Sequence, residues 1–228
     1  ASQTKAITSA AAMILYEEGK FNLDDPLWQY IPEFRNVKVI DKFNKEDTTW
    51  TTVPAKRPIT IRDLLTHTSG IAYAQIGSAD ANAMYHKAGV LLEIGTGKAM
   101  ISDQMKKLAT LPLMHQPGEK FTYGLNTDLL GYLIEVVSGM TLDQFFRKRI
   151  FEPLGMKDTY FYLPKEKYDR LVTLYSDDRA TGKVVKTEPV TTIAADNFYP
   201  DYPKTGEGTL YSGGGGLSST IYDYAVFL

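Results

Sequence analysis

The chain has 228 residues, 43% of them hydrophobic, and a formal charge of -2 from 25 basic and 27 acidic side chains. That is enough for one large globular domain or two small ones. The interspersed charges exclude the one-signed surfaces that bind nucleic acid or anionic membranes. Cysteine is absent, which excludes disulfides and thiolate metal sites and fits either redox compartment.

The predicted elements run as follows. Residues 4–18 carry apolar side chains at Ile7, Ala11, Ile14 and Leu15, the face of a helix, and Gly19 stands where a left-handed cap belongs. Pro26 and Pro32 then interrupt the chain, and a polar stretch with Trp50 runs to Pro58, so loop with short extended pieces is expected. "TIRDLLTH" offers a capping box, Thr60 with Asp63, ahead of a short helix. Residues 72–110 predict two or three helices interrupted by "IGTGK". A helix is expected over about 127–138, closed by Gly139, and another from a Thr141 and Gln144 box to about residue 150. "YDRLVTLYSDDRATGKVVKTEPV" reads as strand, turn and strand, turning at Thr181 and Gly182. Gly213 to Gly216 lead into a last apolar helix, with Thr220 and Asp223 as a further capping box.

Few residues carry chemistry. His67, His86 and His115 are far apart and lack carboxylates at ligand spacing, so no metal site is expected; no run of 18 apolar residues predicts a membrane span. "GTGK" at 95–98 lacks the spacing and hydroxyl of a phosphate loop. Ser69 in "HTSGI" lacks a nucleophile elbow and reads as a structural turn. The aromatics "YFY" at 160–162 read as core, and Tyr199, Tyr202 and Tyr211 stand near the glycine run.

The first turn differs. Ser2 and Lys5 are three apart, so they share a helix face. Ser2 can be a helix cap with a solvated lysine, or a nucleophile beside its base. A free lysine titrates near about 10.4 and a phenol near about 10, so each alone is a poor base at neutral pH. A lysine and a tyrosine that share one proton are a less demanding solution. "PGEKFTYGLNTDLLGYLIEVVSG" places Tyr123 on a loop just before a helix, where such a partner belongs.

"SQTK", "EEGKFNLDDPLWQYIPEF", "ITIRDLLTHTSGI", "PGEKFTYGLNTDLLGYLIEVVSGMTLDQFFRKRIFEPLGMKDTYF" and "SGGGGLSSTIYDYAVFL" follow one another over most of the chain. In that order they resemble the serine β-lactamase-like superfamily, which holds class C β-lactamases, penicillin-binding D-alanyl-D-alanine peptidases and esterases of the same fold. The resemblance implies an α/β (α+β) β-lactamase/transpeptidase-like fold in one serine hydrolase domain over residues 1–228. It further implies an excerpt cut at both ends, mostly the helical part, without the flanking strands of the central antiparallel sheet and without the third motif. "KTG" at 204–206 precedes the glycine run and reads as coincidence.

By the same resemblance Ser2 is the acylated nucleophile, Lys5 its proton partner and Tyr123 the second-motif tyrosine. The Ser2 amide would supply half of an oxyanion hole. The implied function is hydrolysis of an ester or amide in a small-molecule or peptide acyl substrate, of esterase or D-alanyl peptidase type, with no cofactor, in the periplasm or outside the cell. An export signal would lie upstream of Ala1. The alternatives are a class C-like β-lactamase and a catalytically silent penicillin-binding-like scaffold. One departure favours esters. Lactamase relatives carry Tyr-x-Asn or Ser-x-Asn, whereas Tyr123 is followed by Gly124, Leu125 and then Asn126. The offset rotates Asn126 by about 100°, so it is expected to cap the next helix and leave the site without an amide for an acylamino group.

Overall fold

The computed structural model describes residues 2–90, 100–178, 180–187, 202–204 and 208–228. Helix α1 (Thr4–Glu17) buries Ile7, Ala11, Ala12 and Leu15, and Gly19 turns the chain at φ +68°. Strands β1 (Lys38–Asn44) and β2 (Thr49–Pro54) pair antiparallel where loop with short extended pieces is expected; their register slips between Ile40 and Lys42. Val39 goes into the core, and Phe43 and Trp50 pack against it. Helix α2 (Ile61–Leu65) starts with the expected Thr60 and Asp63 capping box. Residues 72–110 supply α3 (Ala79–Ala88) and α4 (Ile101–Ala109).

The centre of the core is α5 (Asn126–Ser138). It packs against α1, α2, α4 and the following α6 (Leu142–Phe146). Leu129, Leu130, Leu133 and Ile134 are fully buried, each contributing about 1.5–3 kcal/mol relative to exposure. The expected Thr141 and Gln144 box opens α6. The helix then widens through a π-helical turn, Arg147–Phe151, into α7 (Glu152–Leu154). Pro153 explains the widening, because a proline inside a helix can neither donate to the carbonyl four residues back nor tolerate it closely. Strands β3 (Tyr175–Asp178) and β4 (Lys183–Lys186) form the expected hairpin, with Gly182 at φ +66°.

Residues 212–217 thread between α1 and α5, and two glycines make room. A Cβ on Gly213 would lie 2.6 Å from the Thr127 carbonyl oxygen, and one on Gly131 would lie 3.4 Å from Gly213 Cα. The last helix, α8 (Ile221–Phe227), corrects one expectation. Thr220 accepts from the Asp223 amide, but the Asp223 carboxylate accepts from the Asp158 amide and the Thr159 hydroxyl, at 2.7 and 2.8 Å, so only half a capping box forms. The carboxylate ties α8 to the segment that bridges Ser218. "GTGK" at 95–98, Tyr199, and Thr205 and Gly206 of "KTG" lie outside the described residues.

Candidate active site

The first turn of α1 has no side-chain cap: Gln3 occupies the N-cap without bonding a backbone amide. Ser2 precedes it, exposed, with its carbonyl accepting from the Lys5 amide at 3.0 Å. The i, i+3 geometry brings Lys5 Nζ to 3.4 Å from Ser2 Oγ. A cation at a helix N-terminus is disfavoured by about 0.3–1 kcal/mol. Two partners offset this. Lys5 Nζ donates to the Gly214 carbonyl at 2.6 Å, and it lies 5.0 Å from the Tyr123 ring centroid and 5.8 Å from that of Tyr73.

Tyr123 Oη lies 2.9 Å from Ser2 Oγ, so the three side chains singled out in the sequence converge. The tyrosine loop is pinned at both ends: the Thr122 amide donates to His67 O at 2.8 Å and the Leu125 amide to Ala72 O at 3.2 Å. Gly124 permits this approach, since a Cβ there would stand 2.1 Å from the Ile71 carbonyl oxygen. The Tyr123 ring is stacked on His67 at 5.2 Å and tilted against Tyr73 at 5.1 Å. Burial, and secondarily the Lys5 charge, pushes the His67 imidazole down to about 4. His67 is therefore neutral at pH 7, and it holds φ +55°, a left-handed conformation uncommon outside glycine.

Asn126 does not cap α5. The N-cap position is Leu125, with no side-chain bond, and Asn126 is the first helical residue, fully buried. Its Oδ1 accepts from Ser69 Oγ, while Nδ2 contacts His67 Nδ1 at 3.2 Å and donates to Ile71 O at 3.4 Å. Ser69 also accepts from the Ile71 amide at 3.0 Å. The amide is committed to the "HTSGI" segment and not to the start of its own helix.

Sequence reasoning missed Asp128. It lies in the first turn of α5, buried, with Oδ1 accepting from Ser212 Oγ at 2.6 Å and from the Gly214 amide at 3.2 Å. Burial pushes its carboxyl above the usual range, against these hydrogen bonds and the Lys5 charge. One signal was available. Asp128 directly precedes the apolar pair Leu129 and Leu130, and an ionisable residue carried into a buried turn must find a partner.

A cleft of about 710 Å³ opens beside Ser2, lined by Gln3, Ile7, Leu217, Tyr224 and Leu228 among others. A second cleft of about 600 Å³, between Trp28 and Pro58, includes none of Ser2, Lys5 and Tyr123. Phe161, Tyr162, Tyr202 and Tyr211 form one aromatic cluster, with Phe161 and Tyr202 buried. Among the described residues no group of three metal-ligating side chains occurs, and no helix is long and apolar enough to cross a membrane. What the geometry offers chemically is an exposed hydroxyl oxygen with two proton-carrying groups within reach.

Three comparisons bear on this geometry. The family described as Beta-lactamase matches residues 1–228. Protein Rv1367c of Mycobacterium tuberculosis is 37% identical over 231 residues, covering 100% of this chain and 52% of that protein. Lovastatin esterase of Penicillium rubens is 38% identical over 189 residues, 81% of this chain and 45% of the esterase. The chain thus spans about half the length of these relatives. Among solved structures, "EstCE1, a hydrolase with promiscuous acyltransferase activity" superposes with a TM-score of 0.78 at 28% identity, over 100% of this chain and 56% of that one.

Proposed function

Because this chain belongs to the beta-lactamase family, we propose that it carries the acylation centre of a serine hydrolase that cleaves carboxylic esters, with Ser2 as nucleophile and Lys5 and Tyr123 as its proton-transfer pair. The observation that carries this reading is the position of Ser2 Oγ, 2.9 Å from Tyr123 Oη and 3.4 Å from Lys5 Nζ. In the first step Ser2 Oγ attacks the acyl carbonyl and its proton passes to the Lys5–Tyr123 pair. The tetrahedral intermediate collapses, the C–O bond to the leaving alcohol breaks, and the same proton goes to that alcohol. Water then attacks the acyl-enzyme, giving its proton to the pair, which returns it to Ser2 Oγ.

Simple acyl esters fit better than acylamino substrates, since the Asn126 amide is occupied by Ser69, His67 and Ile71. The names of the relatives point the same way: one is a lovastatin esterase, and EstCE1 is described as a hydrolase with acyltransferase activity. Transfer to an alcohol would differ only in the acceptor that replaces water.

The test uses the full-length protein, a serine-directed fluorophosphonate, p-nitrophenyl butyrate and nitrocefin. Labelling is expected at Ser2 and absent from Ser2→Ala. The kcat/KM for the ester should exceed that for nitrocefin. Labelling that survives Ser2→Ala overturns the nucleophile, and the reverse order of substrates makes the β-lactamase reading the better one.

A further inference from the structure

Lys5 is joined to the buried Asp128 by a continuous run of hydrogen bonds through one peptide unit and one serine. Lys5 Nζ donates to the Gly214 carbonyl at 2.6 Å. The amide of that same peptide, on Gly215, donates to Ser212 Oγ at 3.1 Å. The Ser212 hydroxyl in turn donates to Asp128 Oδ1 at 2.6 Å. Every donor points the same way, from the ammonium to the carboxyl, the arrangement in which successive bonds polarise and strengthen one another. A second bond, from the Gly214 amide to Asp128 Oδ1 at 3.2 Å, fixes the preceding peptide.

Ser212 and Asp128 are both buried, and neither touches Ser2 or Tyr123 in any hydrogen bond described. The surrounding strip is gripped from the other side by α1, where Thr8 Oγ1 donates to Gly213 O at 2.7 Å and Thr4 Oγ1 accepts from the Leu217 amide at 3.1 Å. The Gly214 carbonyl therefore cannot swing freely. Its direction sets where the long, rotatable lysine side chain ends, and a four-carbon stem needs such an anchor to hold a reactive geometry.

From this run of bonds we infer that Ser212 and Asp128 are positioning residues for the proposed acyl transfer, holding Lys5 against Ser2 through the Gly214–Gly215 peptide. The inference rests on the reading of Ser2, Lys5 and Tyr123 given above and assigns the next layer of that site.

The experiment measures p-nitrophenyl butyrate hydrolysis and fluorophosphonate labelling rates in the full-length protein. Ser212→Ala removes both the acceptor for the Gly215 amide and the donor to Asp128. It should lower kcat about 10- to 100-fold, the scale of a small misplacement in a reacting group, with KM changed less than about twofold. Asp128→Asn keeps an acceptor oxygen and should retain kcat within about threefold, whereas Asp128→Leu should fall with Ser212→Ala. The core variant Ile134→Val, a mild destabilisation on the same helix, should leave kcat unchanged. Action through the lysine is read from a double-mutant cycle: in a Lys5→Ala background, Ser212→Ala should cost nothing further. Full additivity there, an unchanged kcat in Ser212→Ala, or an Asn variant as poor as the Leu variant overturns the inference. If Ser2→Ala and Lys5→Ala themselves leave hydrolysis intact, the underlying reading has failed instead.

Discussion

Helices α2 and α6 begin with complete capping boxes, Thr60 with Asp63 and Thr141 with Gln144, whereas α1 and α5 begin at Gln3 and Leu125 with no side chain on their free amides. The polar residues at those two uncapped starts are engaged elsewhere. Ser2 and Lys5 meet Tyr123 and Gly214; Asn126 and Asp128 meet the "HTSGI" segment and the glycine strip. A short side chain bonded to a distant segment cannot also fold back on its own helix. At these first-turn positions a side chain either caps its own helix, worth about 1 kcal/mol, or bonds a distant segment of the candidate site.

The largest expected effect tests the uncapped side. Lys5→Ala and Tyr123→Phe should each lower kcat by about 10²- to 10⁴-fold, and, if the two act as the proposed pair, the double variant should be little worse than the poorer single. Additive losses would assign them separate roles. The capped side should behave oppositely. Thr60→Ala and Thr141→Ala should each lose about 1 kcal/mol, or about 2–4 °C in Tm, with kcat unchanged. A cap variant that lowers kcat at full occupancy of the folded state would break the division.

The smallest effect is a pH dependence. His67 takes up a proton near pH 6.5 when unfolded but only near about 4 when folded. Between those values the unfolded chain binds the extra proton, so this contribution is complete above about pH 6.5 and is lost as pH falls towards 4. Asp128, pushed up by burial, works in the other direction, so the comparison must be between variants. Because the ring is only half-buried, His67→Gln should flatten the fall in Tm between pH 7 and 5 by about 1–2 °C. An identical slope in both proteins would show that His67 does not contribute.

What the sequence discloses follows the range of the interactions. Capping boxes, glycine caps and the apolar faces of α1 and α5 are local, and they are found where periodicity puts them. The β1–β2 hairpin is obscured by its own irregularity: the slip at Ile40 and Lys42 breaks the alternation on which a strand reading depends. Ser2, Lys5 and Tyr123 are legible because a chemical need, a partner for lysine, can be posed before any contact is known. Asn126 and Asp128 are not. Local geometry makes Asn126 a cap and names no partner for Asp128; the groups they bond, Ser69 and Ser212, lie 57 and 84 residues away. Thr220 and Asp223 fail in the same manner, because Asp223 bonds a segment 65 residues earlier in the chain.

The bond from Lys5 to Gly214 spans 209 residues. On a ribosome adding about 5–20 residues each second, the carbonyl that holds the lysine is made about 10–40 s after it. Over that interval a nascent chain carries Ser2 without the carbonyl that anchors Lys5. Ser2, Lys5 and Tyr123 take up their mutual geometry only after α5 has docked and the glycine strip has threaded between the helices, so the arrangement arrives with the long-range contacts and not with the helix that carries the serine.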